Sequence, residues 1–263
     1  MEYEKIKYPD GQISVKITDY DNPYIKERIN SYEDLIFVKS IAEAYHYQNP
    51  SAPLSLFIPC LFGQRSDRRF LDNQSFDLKI IADIINSCNF SKVDIFDPHN
   101  ADVTLALINN SHKVDSFTYI KRSIDPKAID SRDIDNSFKK DLILVSPDAG
   151  AYKKVFDYGE KLNLPVVAAN KYRDLNGKIT LNFVGDVAGK ICFLPDDMAD
   201  GGYTFVLLAK ALKEQGAKAV YLYVSHGFFN KGFDELKKYV DHVYCTNSVK
   251  DIENDFVTQF KII

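Results

Sequence analysis

Two adjacent carboxylates, Asp196 and Asp197, are followed by Met198, Ala199 and Asp200 and then by a glycine pair, Gly201 and Gly202, with Tyr203 and Thr204 behind it. Paired carboxylates accept hydrogen bonds from vicinal sugar hydroxyls or hold a hydrated Mg²⁺. Glycines at the start of a helix let the backbone approach an anion, and the helix offers it unpaired N–H groups and a positive dipole end. Carboxylates and glycines in this order suit a ribose phosphate. An ordinary acidic turn capping a helix has the same composition, so this stretch leaves both readings open.

Four further polar clusters follow apolar runs. Arg65-Ser66-Asp67-Arg68-Arg69 places three arginines where bidentate hydrogen bonds could clamp a polyphosphate, although an isolated run of this kind is more often a solvated face. In Asp97-Pro98-His99 the imidazole is either a metal ligand or part of a capped loop. Ser146-Pro147-Asp148-Ala149-Gly150 is a turn by composition, with Asp148 available to a cleft. Lys171 and Arg173 stand in a polar segment with Asn170, Asp174, Asn176 and Gly177. A mobile loop with two cations suits phosphoryl transfer, and a plain surface hairpin is the alternative. Gly227 and Gly232 have the spacing of a Walker pair, but Phe233-Asp234 stands where Lys-Ser/Thr is required, and no GxGxxG follows a strand.

The elements that must position these clusters alternate. Strands are expected at Asp34 to Val38, Leu54 to Pro59, Val93 to Phe96, Leu142 to Val145, Leu164 to Ala168, Ile191 to Leu194, Val220 to Val224 and Val243 to Cys245. Helical spacing covers Phe76 to Cys88 and Phe205 to Gln215, the latter stopping at Gly216. Such alternation predicts an α/β fold of mostly parallel sheets flanked by helices. The pattern weakens between Asn110 and Lys140, and the expected domains are 1–115 and 116–263. With 263 residues, 45% of them hydrophobic, there is material for two cores. A formal charge of -4 argues against nucleic-acid binding. Cys60, Cys88, Cys192 and Cys245 are far apart and read as reduced core thiols. No apolar run has membrane-spanning length and Met1-Glu2-Tyr3-Glu4 is unlike a signal peptide, so a cytoplasmic protein is expected.

Taken together, from about Tyr8 to Ser248, the chain resembles the ribose-phosphate pyrophosphokinases, the phosphoribosyl pyrophosphate synthetases, which share the type I phosphoribosyltransferase fold. Tyr8-Pro9-Asp10-Gly11-Gln12 is similar to the family's Phe-x-Asp-Gly-Glu, an adenine-stacking segment lent by a neighbouring subunit. Pro59 to Arg68 is similar to its Pro-Tyr-Phe-Gly-Tyr-Ala-Arg-Gln-Asp-Arg, keeping Arg65, Asp67 and Arg68. Asp97-Pro98-His99 resembles Asp-Leu-His, whose histidine binds magnesium, and Ser146 to Gly150 matches literally, with Lys153 where the family has its lysine. Lys171-Tyr172-Arg173 resembles the catalytic Lys-x-Arg, Asp196 to Thr204 the ribose-phosphate loop Asp-Asp-x-x-Asp-Thr-Gly-Gly-Thr, and Ser225-His226-Gly227 its Thr-His-Gly.

The resemblance implies two phosphoribosyltransferase-type domains, an ATP-binding one at 1–115 and one at 116–263 that carries the ribose-phosphate loop. It implies transfer of the β,γ-pyrophosphoryl group of ATP to the anomeric hydroxyl of a ribose 5-phosphoryl acceptor. Tyr8, Asp10, Gln12, Arg65, Ser66, Asp67, Arg68 and His99 would meet ATP, with His99 and Asp148 on Mg²⁺. Asp196, Asp197, Asp200, Gly201, Gly202, Tyr203 and Thr204 would hold the acceptor, and Lys171 and Arg173 the transition state. A homo-oligomer with shared sites is implied too. Relative to the family, most of the missing length lies at the N-terminus, Gln12 replaces glutamate and Ser66 glutamine. In the phosphate loop Gly201 stands for threonine and Tyr203 for glycine. Loss of that hydroxyl and the added ring would admit a larger 5′-substituent, making ADP-ribose, a compound of NAD metabolism, an alternative acceptor to ribose 5-phosphate. A non-catalytic regulatory relative is disfavoured by retention of Lys171, Arg173, His99 and Asp148 together. A phosphoribosyltransferase is disfavoured by the Arg65 cluster and the second domain.

Overall fold

The computed structural model describes residues 1–125, 138–173 and 179–263. The chain divides into two compact units, Met1–Asp115 with Ile263, and Ser116–Ile262. The first unit opens with an antiparallel hairpin of β1 (Glu2–Lys7) and β2 (Ile13–Asp19). Its turn is closed by the Tyr8 N–H on the Gln12 carbonyl at 2.8 Å and by the Asp10 carboxylate, which accepts from the Gln12 N–H at 3.0 Å. Behind it, β3 (Tyr24–Lys26), β4 (Ser55–Ile58), β5 (Lys92–Phe96) and β6 (Ser111–Val114) form a parallel sheet in sequence order. The helices α1 (Tyr32–Gln48), α2 (Asp77–Asn86) and α3 (Ala101–Leu107) accompany it. Ile25, Leu56, Ile58, Val93 and Ile95 from the strands are buried with Leu35, Ile41, Leu78 and Ile81 from the helices.

One sequence expectation is overturned here: Asp34 to Val38 lies inside α1 and is not a strand. The apolar run Leu35 to Val38 is too short to reveal its period by itself. The decisive signals lie on either side. Ser31 caps the helix by accepting from the Asp34 N–H at 3.1 Å, and the Asp34 carboxylate accepts from the Ser31 hydroxyl at 2.8 Å and from the Asn30 N–H at 3.0 Å. Leu35, Val38, Ile41, Ala42 and Tyr45 then recur at helical spacing and are buried.

The second unit holds α4 (Phe117–Ser123), α5 (Phe138–Asp141), α6 (Tyr152–Leu162) and α7 (Tyr203–Glu214) with a seven-stranded sheet. Its strands are β7 (Leu142–Ser146), β8 (Val166–Arg173), β9 (Ile179–Val184), β10 (Ile191–Ala199), β11 (Ala219–Gly227), β12 (His242–Thr246) and β13 (Val257–Phe260). The order is β13-β12-β11-β10-β7-β8-β9, parallel except for β9, which runs antiparallel to β8. Alternate residues of the central strands serve two cores. Ile143, Val145, Cys192, Leu194, Leu222 and Val224 pack with Phe205, Leu208 and Leu212 of α7, whereas Leu142, Leu144, Ile191, Phe193 and Tyr223 pack with Val155 and Tyr158 of α6. Burial on both faces explains the continuous apolar runs of these strands. All four cysteines are buried free thiols. No helix among the described residues is long and apolar enough to cross a membrane.

Candidate active site

From β7 the chain moves outward in one direction, through β8 to β9, and from β10 in the other, through β11 to β13. The junction of β7 and β10 is therefore a topological switch point, where the connections diverge and leave a crevice beyond the carboxyl ends of the strands. Two of the sequence clusters sit at those ends. Ser146-Pro147-Asp148 leaves β7, and Asp196 to Thr204 spans the end of β10 and the start of α7.

The strand β10 runs further than its apolar stretch suggests, through Ala199 rather than ending at Leu194. Pairing with β11 continues past Leu194, with Asp196 opposite Val224 and Met198 opposite His226, so both carboxylates belong to the strand. The Asp197 N–H donates to the Asp196 carboxylate at 2.8 Å. Burial, and then the neighbouring Asp197 carboxylate, push the Asp196 carboxyl well above the ordinary range, with Lys154 pulling the other way. The Asp196 carboxyl therefore holds its proton to higher pH than an exposed carboxylate does, and a ligand offering hydroxyl donors, or a cation, would favour its ionised form.

At the helix start Gly202 has φ +75°, a left-handed conformation that glycine adopts without strain. Its carbonyl accepts from the Val206 N–H at 3.1 Å and begins the helix. Tyr203 is 68% exposed, and Thr204 is exposed beside it. Asp200 faces the segment after β11, accepting from the Asn230 amide at 2.7 Å. Beneath the loop, His226 is fully buried, its Nδ1 3.0 Å from the Ser248 hydroxyl, which donates to the Ser225 carbonyl at 3.0 Å. Ser225-His226-Gly227 is thus support buried within β11. Asp148 is exposed, and its carboxylate accepts from the Ala151 N–H at 2.9 Å while its carbonyl accepts from the Ser146 hydroxyl at 2.8 Å.

Lys171 and Arg173 are not on a loop. They end β8, with Lys171 opposite Leu181 and Arg173 opposite Ile179 on β9. This is the hairpin alternative to a mobile loop, with antiparallel pairing satisfying the polar backbone there. Asp174, Asn176 and Gly177 of the expected loop lie outside the described residues.

In the first unit, the segments after β4 and β5 are tied together by groups that sequence inspection passed over. Gln64 is buried and accepts from the His99 N–H at 2.8 Å, and the Asn100 amide donates to the Asp67 carboxylate at 2.6 Å. These bonds bring Arg65, Ser66 and Asp67 beside His99. Asp97 is fully buried in a left-handed conformation, φ +40°, with its N–H on the Val114 carbonyl at 2.9 Å. Arg65 and His99 are exposed, and the Arg68 guanidinium lies 5.2 Å over the Phe70 ring. Tyr8, Asp10 and Gln12 form the exposed tip of the β1–β2 hairpin.

A switch-point crevice bounded by a carboxylate pair and a glycine-started helix is the architecture of a phosphoribosyltransferase-type fold. The crystal structure of phosphoribosylpyrophosphate synthetase from Mycobacterium smegmatis matches over 99% of this chain and 86% of its own, with a TM-score of 0.81 and 19% identity. Residues 171–262 match the family described as "Phosphoribosyl synthetase-associated domain". A ribose-phosphate pyrophosphokinase of Mycoplasma pneumoniae is 31% identical over 220 residues, 80% of this chain. One from Clostridium perfringens is 27% identical over 267 positions, covering 97% of this chain and 80% of the relative. The chain belongs to the ribose-phosphate pyrophosphokinase family. It spans 63% of the length of the M. pneumoniae relative.

Proposed function

We propose that the chain transfers the β,γ-pyrophosphoryl group of ATP to the anomeric hydroxyl of ribose 5-phosphate, giving phosphoribosyl pyrophosphate and AMP. The observation that carries this reading is the carboxylate pair and glycine-started helix at the β7/β10 switch point. Asp196 and Asp197 accept hydrogen bonds from the ribose 2- and 3-hydroxyls, and the backbone from Gly201 to Thr204 takes the 5-phosphate. The anomeric oxygen attacks the β-phosphorus, the bond from that phosphorus to the oxygen it shares with the α-phosphorus breaks, and AMP leaves with that oxygen. The hydroxyl proton passes to solvent. In this reading Arg65, Ser66, Asp67, Arg68 and His99 hold the ATP phosphates and sugar, and Tyr8, Asp10 and Gln12 serve the adenine of a neighbouring copy in a homo-oligomer. Lys171 and Arg173 stabilise charge on the group in transfer.

Family membership also implies Mg²⁺. Among the described residues no three His, Cys, Asp or Glu side chains cluster as a metal site. That suits an ion that keeps much of its water and is held by one or two carboxylates together with substrate phosphates. Asp148, an exposed carboxylate at the crevice, fits as such a ligand; the imidazole of His99 is a softer donor and contributes less to the fit. When bound, Mg²⁺ would neutralise phosphate charge.

The exposed ring of Tyr203 favours a second acceptor, ADP-ribose, whose additional sugar and base could pack on it and which would yield ADP-ribose 1-pyrophosphate. Both acceptors are tested by offering the protein ATP, Mg²⁺ and each compound, identifying products by mass, and repeating with the Gly201→Thr, Tyr203→Gly double mutant. The expected result is AMP release with phosphoribosyl pyrophosphate as the main product. Faster turnover of ADP-ribose, reversed in the double mutant, would establish the second acceptor instead. ATP-independent turnover with a nucleobase would point to a phosphoribosyltransferase.

A further inference from the structure

The segment after β11 lies across the phosphate loop and is bonded to it through the backbone. The N–H groups of Phe228 and Phe229 reach the Ala199 carbonyl at 2.9 and 3.3 Å, and the Asn230 N–H reaches the Asp200 carbonyl at 2.9 Å. With the Asn230 amide on the Asp200 carboxylate at 2.7 Å, these bonds hold the next residue, Lys231, against Gly201. A β-carbon placed on Gly201 would come 3.2 Å from Lys231 Cγ, closer than ordinary van der Waals contact. The stem of Lys231 therefore fills the flank that any side chain at 201 would need. Space that the bare glycine opens in sequence terms is, in the fold, partly taken by a lysine.

The charge around this loop gives that placement a purpose. Asp196, Asp197 and Asp200 put carboxylates on one short stretch, and a phosphate dianion brought to the same stretch is repelled by those that are ionised. Backbone N–H groups offer dipoles but no net charge. Lys231 is exposed, makes no ion pair among the described residues, and carries three rotatable donors on a flexible stem. We propose that Lys231 is an anion-binding residue of the acceptor site, its ammonium closing on the terminal phosphate of the sugar while its stem packs on Gly201. This rests on the ribose-phosphate reading of the loop. It also carries a specificity consequence: a cation at this point favours the doubly charged monoester of ribose 5-phosphate over the singly charged diester groups of ADP-ribose.

The test is calorimetric titration of the 263-residue chain with ribose 5-phosphate, inorganic phosphate and ADP-ribose, without ATP. Lys231→Met keeps the stem and removes the charge. It is expected to weaken ribose 5-phosphate about tenfold, as loss of one charge-assisted contact would, to flatten the salt dependence, and to change ADP-ribose by less than about threefold. Lys231→Arg should restore most of the affinity, and thermal melting of both variants should match wild type. In turnover the loss should appear in KM for the acceptor and leave kcat nearly unchanged. Gly201→Ala, by displacing the lysine stem, should weaken ribose 5-phosphate in wild type and add little in the Lys231→Met background. Binding of ribose 5-phosphate by Lys231→Met within about twofold of wild type, on the same calorimetric scale, overturns the assignment. If wild type binds inorganic phosphate through Lys231 but not ribose 5-phosphate, the sugar reading falls and the lysine assignment stands. Binding of neither overturns both.

Discussion

In the proposed site Asp196 would couple stability to ligand binding. Its carboxyl is held above the usual range by burial and by Asp197, so the folded chain keeps this proton to a higher pH than the unfolded chain does. Stability from that proton is fully present at acid pH, below the ordinary carboxylate value, and is lost as pH rises through the elevated one. Asp196→Asn removes the titration, and its melting temperature should exceed wild type at pH 8, with the difference shrinking towards pH 4. Ribose 5-phosphate affinity should fall in the same variant. A melting difference that grows towards acid pH would contradict the account. In the proposed mechanism Lys171 and Arg173 are a different kind of residue, one valued for charge in the transition state. Alanine at either should lower turnover by about 10²-fold or more while ATP affinity, measured by titration, changes little. Near-normal turnover in Lys171→Ala would leave these cations as part of a plain hairpin. The residues that carry charge were legible because Asp, Lys and Arg beside apolar runs stand out. Gln64, Asn100 and Lys154 were not, since their importance lies in partners distant in sequence: Gln64 meets the His99 N–H, Asn100 meets Asp67, and Lys154 acts on Asp196.

At the scale of elements, apolar runs located the central strands but not their ends. The strand β10 continues through Asp196 and Asp197 because β11 is long enough to pair with it, and pairing overrides the polar composition. In the same way β9 converts the polar segment around Lys171 into half of a hairpin. The short run Leu35 to Val38 has the composition of a strand, and its helical state is marked by the cap before it, Ser31 with Asp34. The β1–β2 hairpin was unseen as an element, although its tip residues were singled out. That tip carries Tyr8, Asp10 and Gln12 exposed on a turn closed by its own backbone, a shape suited to reaching another copy of the chain. In the proposed homo-oligomer the tip of one copy completes the site of its neighbour. Mixing inactive Tyr8→Ala subunits with inactive Lys171→Ala subunits should therefore restore part of the activity, measured as AMP release after subunit exchange. No recovery, with exchange demonstrated by mass, would place Tyr8 in the same copy's site or in none.

For the whole molecule, alternation of strands and helices was enough to foresee parallel α/β architecture, and an ordered series of motifs was enough to foresee the family. The strand order was not, because the neighbours β7 and β10 are separated by two other strands in the chain, and only the assembled sheet reveals where connections diverge. The proposed acceptor site rests on that order, since Asp148 leaves one strand of the pair and Asp196 to Thr204 the other. In the proposed division of labour the second unit holds the acceptor and the first unit supplies the groups for ATP. The central claim is that the phosphorus attacked is the β-phosphorus of ATP. ATP labelled at the β-phosphorus, incubated with the protein, Mg²⁺ and ribose 5-phosphate, tests it directly. The label should appear on the ribose product, with unlabelled AMP formed in equal amount. Label retained in ADP would show transfer of the γ-phosphoryl group alone and would contradict the account.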